Sequence, residues 1–252
     1  MDQKSPTYSH MPRLYCAGSL QAGHFELSEG QAHYLRHVLR VQDGDMVRAF
    51  NQTDGEWAAR LIFSGKKSVA LQSVEKIRAN ESVHNRIHLL FSPIKKDRMD
   101  FLIEKSVELG VTHLHPLLMH RSVVRDIKLD RLQAQIIEAV EQCERLDVPQ
   151  LHPLMSFNKF VLQFPSLYGN RILAALERRD AISLRAVSDQ VKTQDQDQGQ
   201  DQDIFYLVGP EGGFDAEEAE FLENSAHVMP VSLGTRILRA ETAAIFGLSL
   251  LG

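Results

Sequence analysis

Beyond residue 86 the chain alternates short apolar runs with stretches of helical spacing, and this alternation restricts its possible folds more than any other feature. The strand-like runs are residues 87–91, 111–115, 171–176, 204–208 and 228–233. Helical patterns cover 99–109, 132–143, 182–191, 216–222 and the C-terminal run. Strands that are apolar along nearly their whole length are typical of sheets covered on both faces. We therefore predict a parallel α/β domain over residues 86–252.

The preceding part of the chain, residues 12–77, has a different pattern. Short strands are predicted at 13–16, 45–50, 56–63 and 68–74, separated by Asp-Gly and Ser-Gly turns, with one helix over 29–39. This pattern is typical of a small β-barrel. The remaining segments are a flexible N-terminus (1–11), a linker (78–85) and a low-complexity Gln-Asp surface loop (193–203).

Composition narrows the class of protein. The two cysteines, Cys16 and Cys143, make no disulfide framework, which favours the reducing cytoplasm. The N-terminus lacks a signal-peptide core, and the apolar run 243–252 is too short to span a membrane. A net charge of −5 argues against sequence-blind coating of nucleic acid, so any such target should be recognised as a defined site.

The first candidate ligand site is the glycine-rich sequence LVGPEGGFD at residues 207–215. It joins a strand end to a helix, and parallel sheets bind ligands at the carboxyl ends of their strands. It matches neither the dinucleotide fingerprint nor the phosphate-binding P-loop. Asp215 and Glu218 form a capping box, and with Glu217 they place carboxylates where a phosphate would bind. A ligand without phosphates, such as S-adenosylmethionine, is therefore favoured over a phosphorylated one, and a purely structural turn stays the alternative interpretation.

The second candidate is VSLGTRILRAETA at residues 231–243. Arg236 and Arg239 bracket Ile237 and Leu238 just before a helix, although cations at a helix start oppose the macrodipole. Departures of this kind tend to mark function. The alternative interpretation is two solvated arginines on a loop.

Basic residues follow the first two strands of the α/β domain. Lys95, Lys96 and Arg98 form one cluster, and Arg121 and Arg125 form a weaker one. They are candidates for contacts with an RNA backbone, against the alternative of ordinary solvated loops. His113, His115 and His120 have no carboxylate or cysteine at ligand spacing, so no metal site is predicted.

These motifs, together with KKDRMDFLIEKSVELGV, EQCERLDVPQLHP and the opening PRLY, resemble the bacterial ribosomal RNA methyltransferase family that modifies N3 of a uridine in small-subunit (16S) rRNA. The resemblance covers nearly the whole chain. It implies a PUA-like RNA-binding barrel, an α/β domain with the trefoil knot of the SPOUT superfamily, S-adenosylmethionine as cofactor and a homodimer formed through the C-terminal domain. Thr235 stands where the family pattern has proline and Ala240 where it has threonine, and the Gln-Asp repeat looks like an insertion.

The resemblance also implies roles for individual residues. The cofactor loops would contain Leu176, Glu177, Val208, Gly209, Pro210, Glu211, Gly212, Gly213, Leu233, Gly234, Arg236, Ile237, Leu238, Arg239 and Thr242. Arg236 is the candidate for stabilising the deprotonated base, with Arg13 as an alternative on the RNA side, and Glu211 is the candidate proton acceptor. The predicted RNA contacts are Arg13, Lys95, Lys96, Arg98, Arg121 and Arg125.

Two other functional classes stay open at this stage. A non-catalytic RNA-binding adaptor would not need the intact glycine loops. A nucleotide-dependent oxidoreductase would need the dinucleotide fingerprint that is missing. Titration with S-adenosylmethionine separates all three.

Overall fold

The chain folds into two compact units. The computed structural model describes residues 8, 10–21, 23–65, 68–80, 85–167, 171–176, 180–190 and 202–252. The first unit comprises Met1–Ser82 together with Val140–Val148, and the second comprises Val83–Ala139 together with Pro149–Gly252.

A five-stranded sheet with the order β1-β3-β4-β5-β2 forms the first unit. Its strands are β1 (Arg13–Tyr15), β2 (His24–Glu26), β3 (Met46–Asn51), β4 (Gly55–Ser64) and β5 (Ser68–Arg78). β1 pairs with β3 in parallel and the other pairs are antiparallel. The four predicted strands are confirmed, whereas β2 is too short to leave a pattern in the sequence. Closure into a barrel stays a prediction.

The helix predicted over residues 29–39 consists of two parts. α1 (Glu29–His33) begins at a capping box formed by Ser28 and Gln31, and a π-helical turn over Tyr34–Val38 follows it. Ala32 and Leu35 are buried, whereas Val38 and Leu39, which share the apolar spacing that predicted a helix, are exposed, so only the first half of that spacing packs against the core.

A buried carboxylate, Glu56, is surrounded by three arginines in this unit. Its Oε1 atom lies 2.7 Å from Arg13 Nε and 3.7 Å from Arg48 Nη1, and its Oε2 atom lies 3.5 Å from Arg78 Nε. The Glu56 side chain is 4% exposed. Charges removed from water to this extent stabilise a fold only when they are paired.

The placement of Arg13 does not fit its predicted contact with RNA. Its side chain is 3% exposed. Besides Glu56, its guanidinium donates to the backbone carbonyls of Val140 (2.7 Å) and Arg145 (2.6 Å), and it lies 3.6 Å from the centre of the Phe50 ring. Protein partners occupy the side chain, so we assign Arg13 a structural role in the first unit instead.

Parallel strands form the sheet of the second unit, as predicted. The order is β11-β13-β10-β12-β6-β7-β8, with β9 pairing the end of β7. The strands are β6 (Asn85–Phe91), β7 (His113–Leu118), β8 (Gln150–Leu151), β9 (Met155–Ser156), β10 (Ile172–Ala175), β11 (Ile182–Ser183), β12 (Gln202–Val208) and β13 (Val228–Ser232). The helices are α2 (Lys96–Glu108), α3 (Leu129–Cys143), α4 (Phe157–Leu167), α5 (described over 184–190), α6 (Ala216–Asn224) and α7 (Ala240–Leu251).

Several details of this unit differ from the predictions, among them the short strands β8 and β9, which were not predicted. Helix α4 was not predicted, and it contains Pro165, a residue that normally argues against a helix interior. The predicted helix at 182–191 begins with the short strand β11. The Gln-Asp loop was predicted over residues 193–203, but its last two residues, Gln202 and Asp203, belong to strand β12. The rest of that loop lies outside the described part of the chain, which leaves out residues 191–201.

Gly247 allows α7 to pack closely on β12. A Cβ atom at this position would lie 2.2 Å from Cζ of Tyr206. The Tyr206 ring is fully buried, and its hydroxyl donates to the Ala243 carbonyl at 2.8 Å, so it has no free direction in which to move.

We therefore expect Gly247→Ala to destabilise the protein by about 2–3 kcal/mol, the upper part of the range for overpacked cores. Urea denaturation measures the free energy of unfolding. Ser249→Ala, on the exposed side of the same helix, is the matched control and should change this free energy by less than about 0.5 kcal/mol. Equal stability of the two variants would show that the contact relaxes without cost.

Four histidine rings stack against one another within the second unit. His88 and His113 are register partners on β6 and β7 with ring centroids 4.0 Å apart, and the rings of His115 and His152 lie 3.8 Å apart. His88 Nδ1 lies 3.0 Å from His115 Nε2. The charged groups next to the stack are Asp203, 3.2 Å from His88 Nε2, and Arg86, which donates to Asp203.

This stack predicts acid sensitivity. Burial lowers the pKa of His88 and of His113 to about 4, well below the usual value near 6.5. The unfolded chain therefore binds more protons as the pH falls from about 6.5 to about 4, so stability should be pH-independent above that window and be lost within it. Urea midpoints at pH 7.5, 5.5 and 4.5 test this. His113→Phe should flatten the slope, while the exposed His227→Asn should not; equal slopes in both would refute the assignment.

Candidate functional site

Loops that follow three neighbouring parallel strands enclose a pocket of about 580 Å³. The strands are β13, β10 and β12, whose carboxyl ends lie at one edge of the sheet. The loops contribute residues 175–176, 208–214 and 233–238, and the rest of the lining consists of Arg121, of Ala219 and Glu223 from α6, and of Ala240 and Ala243 from α7. Pockets of this size at strand ends are the usual small-molecule sites of parallel sheets.

Glycine backbones shape two of these loops. Gly234 has a φ of +114°, a backbone conformation that residues with a side chain rarely adopt. At Gly209 a Cβ atom would lie 2.9 Å from the ring of Phe214, which also lines the pocket. Other residues at these positions would move the loop or fill the space beside it.

Helix α6 begins next to the pocket with its N-terminus already capped. The side chain of Asp215 accepts from the backbone N–H of Glu218 at 2.8 Å, and the Glu218 side chain accepts from the backbone N–H of Asp215 at 3.1 Å. This confirms the predicted capping box. The N–H of Glu218 also lowers the pKa of the Asp215 carboxyl, and His120 Nδ1 lies 2.5 Å from that carboxylate. Carboxylates occupy the end of the helix where a phosphate would bind, which favours a ligand without one.

Two arginines outside the glycine loop hold it. Arg98 of α2 donates to Glu211 Oε1 at 2.6 Å, and Arg121 donates to the backbone carbonyl of Gly212 at 3.0 Å. Both residues were predicted to contact RNA. Their guanidinium groups make polar contacts that attach the loop to the rest of the unit, and a contact with RNA stays a prediction for both.

The remaining predicted cations are exposed. Arg236 lies on the pocket wall and Arg239 is the N-cap residue of α7. Among the described residues neither has an ion pair. Lys95 and Lys96 are exposed at the start of α2, and Arg125 lines a separate hollow beside α4 and α6.

Comparison with models of known protein families gives a match that covers the second, larger unit. A family model described as an RNA methyltransferase domain matches residues 80–252, well over half of the chain. The chain belongs to the RNA methyltransferase family. A second model, described as an RNA methyltransferase PUA domain, matches residues 27–72. The resemblance inferred from the sequence motifs is thus confirmed.

Individual members of the RNA methyltransferase family are similar to this chain along nearly its whole length. The ribosomal RNA small subunit methyltransferase E of Rickettsia conorii is 32% identical over 219 residues, which cover 86% of this chain and 84% of that protein. A crystal structure of the Neisseria gonorrhoeae enzyme of the same name, bound to S-adenosylmethionine, superposes with a TM-score of 0.79 at 30% identity and covers 95% of this chain and 96% of that one. A Legionella pneumophila methyltransferase with bound cofactor gives 0.81 at 30% identity, covering 96% and 97%.

In this RNA methyltransferase most of the residues predicted to bind the cofactor meet around the one pocket. Those that line it are Leu176, Val208, Gly209, Pro210, Glu211, Gly212, Gly213, Leu233, Gly234, Arg236, Ile237 and Leu238. Arg239 and Thr242 are not among the lining residues, and Glu177 lies outside the described part of the chain.

The sequence prediction missed several residues of the lining, namely Arg121, Ala175, Phe214, Ala219, Glu223, Thr235, Ala240 and Ala243. Phe214, Thr235, Ala240 and Ala243 lie within the predicted motifs 207–215 and 231–243, although no cofactor contact was assigned to them individually. The signal for Ala240 and Ala243 was the run of small residues at the start of α7, which allows the helix to approach the loops closely.

Proposed function

We propose that this chain transfers the methyl group of S-adenosylmethionine to N3 of a uridine in 16S rRNA of the small ribosomal subunit. The observation that carries the proposal is the pocket of three loops at the strand ends, in a chain of the RNA methyltransferase family. Relatives at 30% identity were crystallised with S-adenosylmethionine. The predicted trefoil knot and the PUA-like barrel are part of this proposal.

The pocket residues suit this cofactor. Backbone groups of Gly209, Gly212 and Gly234 on the pocket wall offer hydrogen bonds to a ligand, and Leu176 and Leu238 offer apolar contact to an adenine ring. The carboxylates at the start of α6 disfavour a phosphorylated ligand. When bound, S-adenosylmethionine supplies an electrophilic methyl group.

The protein's own part of the reaction is alignment and the handling of one proton. N3 of neutral uracil carries a hydrogen, so the site must favour the deprotonated base. Arg236, exposed on the pocket wall and without an ion pair among the described residues, is our candidate for stabilising that anion. Glu211 is our candidate proton acceptor, and its carboxylate lies 2.6 Å from Arg98. If Glu211→Gln transferred methyl groups at the wild-type rate, Glu211 would be excluded as the base.

The exposed cations near the pocket are our candidates for binding the RNA backbone. Lys95, Lys96 and Arg239 extend into solvent, as phosphate-contacting side chains must. Arg121 and Arg125 remain weaker candidates, since Arg121 already donates to the glycine loop.

A homodimer through the C-terminal domain is also part of the proposal. Helix α7 leaves Ile245, Phe246 and Leu250 only partly buried, and Phe101 of the adjacent α2 is 46% exposed. A second copy that covers these side chains would remove an apolar surface from water. Light scattering should report about twice the 28.5 kDa chain mass; a monomer at micromolar concentration would contradict it.

The location proposed for this reaction is the cytoplasm. Both cysteines are free, and none of the helices in the described part of the chain is long and apolar enough to cross a membrane.

The decisive experiment supplies labelled S-adenosylmethionine with small ribosomal subunits, or with deproteinised 16S rRNA, from a strain that lacks the activity. We expect label in rRNA at one uridine, identified by mass spectrometry of nuclease fragments. Absence of transfer to rRNA would contradict the proposal, and failure to bind S-adenosylmethionine as well would favour the non-catalytic adaptor.

A further inference from the structure

Arg98 lies between two carboxylates, one in the glycine loop that lines the pocket and one in the first turn of α7. Its Nη1 atom donates to Glu211 Oε1 at 2.6 Å, and its Nε atom lies 3.7 Å from Glu241 Oε1. Glu211 belongs to the glycine loop after β12, whereas Glu241 is in the first turn of α7. One guanidinium group therefore bridges the loop and the helix.

Glu241 depends on this arginine. Its side chain is only 10% exposed, and its Oε2 atom is buried without a hydrogen-bond partner among the described residues. A buried carboxylate is costly unless a cation is close to it. The adjacent Ala240 lines the pocket, so the position of Glu241 is tied to the pocket wall.

Glu211 is the other end of the bridge. Its side chain is 20% exposed and that of Arg98 is 37% exposed, so the ion pair is partly shielded from water. Arg121 holds the next residue of the loop through the Gly212 carbonyl. The loop thus has one anchor of its own, and Arg98 supplies the contact that links it to α7.

We propose that Arg98 is a positioning residue for the cofactor pocket, which fixes the Glu211 loop against the first turn of α7 before the ligand arrives. This inference rests on the proposed function, and it replaces the predicted RNA contact of Arg98. A loop that is held in its bound shape costs less conformational entropy when the ligand binds. The effect should therefore appear in the affinity for S-adenosylmethionine and not in the affinity for RNA.

The test compares Arg98→Ala, Arg98→Lys and Lys105→Ala in the full-length protein. Lys105 is a matched control, since it is also a cation of α2 that pairs with two carboxylates, Glu104 and Glu108, but on the surface. We expect Arg98→Ala to raise the Kd for S-adenosylmethionine about tenfold, which corresponds to about 1.4 kcal/mol. The Kd of Arg98→Lys should lie between those of the wild type and Arg98→Ala, because an ammonium group can reach one carboxylate but cannot bridge both. Lys105→Ala should bind like the wild type.

Three further readouts separate positioning from other roles. The KM for rRNA should stay unchanged in Arg98→Ala, and Arg98→Ala combined with Glu211→Gln should weaken cofactor binding less than the sum of the single changes. A raised KM for rRNA with an unchanged cofactor Kd would overturn the proposal in favour of an RNA contact. Strict additivity, or a lower melting temperature with a wild-type Kd, would overturn it in favour of a structural role. Calorimetric cofactor binding does not require methyl transfer, so it decides this point even if the proposed reaction fails.

Discussion

Replacing Arg236 with alanine should lower kcat for methyl transfer about 10²–10³-fold while the Kd for S-adenosylmethionine changes little. The expected size of this decrease is taken from other enzymes, in which removing one preorganised group that stabilises a developing anion lowers kcat by about 10²–10³-fold. Arg236 suits such a role because it lies on the pocket wall, is exposed and has no ion pair in the described part of the chain. Single-turnover transfer to rRNA, with the enzyme in excess, measures the chemical step directly.

Two companion variants make this result specific. Arg236→Lys should retain part of the rate, since the charge remains while the planar group is lost. Arg185→Ala removes an exposed arginine on α5, away from the pocket, and should react like the wild type. If Arg236→Ala raised only the KM for rRNA and left kcat intact, Arg236 would be a phosphate contact and not a catalytic residue.

The largest effect on stability is expected from Glu56→Gln, which should cost about 3–5 kcal/mol. Gln keeps the shape of the side chain but removes the negative charge that Arg13, Arg48 and Arg78 share. The buried guanidinium of Arg13 would then lose the one carboxylate that pairs with it in the described part of the chain, and its burial already lowers its pKa. The free energy of unfolding of the first unit, followed by the fluorescence of Trp57 in urea, provides the measurement.

Glu144→Gln is the matched control. Glu144 accepts from Arg48 at 2.6 Å, but its side chain is 46% exposed, so its charge is screened by water. We expect a loss below about 1 kcal/mol. If the two variants were equally stable, the arginines would be finding other partners, and the cluster would not be the main electrostatic element of the unit.

The parts of the fold that the sequence predicted are those with a local signal. The runs at 87–91 and 204–208 are apolar at every position except His88, and the structure buries both faces of β6 and β12. The glycine loop and its capping box were predictable for a related reason: a strand, glycines and Asp215 adjoin in the chain. Since the strands are parallel, their carboxyl ends meet, and the separate motifs gather at one edge of the sheet.

The parts that were missed depend on partners far away in the sequence. Arg13 and Arg98 each stand in a basic or turn-like context that suggests a free cation. Their partners, Glu56 and Glu211, are 43 and 113 residues away. The order of the strands in the sheet determines which carboxylate pairs with an arginine. The local sequence pattern does not indicate that order. Helix α4 was missed for the opposite reason, because its Pro165 is a strong local signal that packing overrides.

The first unit is assembled from two separate lengths of chain, with Val140–Val148 joining Met1–Ser82. Arg13 uses the carbonyls of Val140 and Arg145, and Arg78 donates to the carbonyl of Glu144. A fragment that stops at Ser82 would therefore leave these arginines without the acceptors they bind in the full chain. Anyone who transplants this unit into a relative must exchange two pieces of the gene, not one.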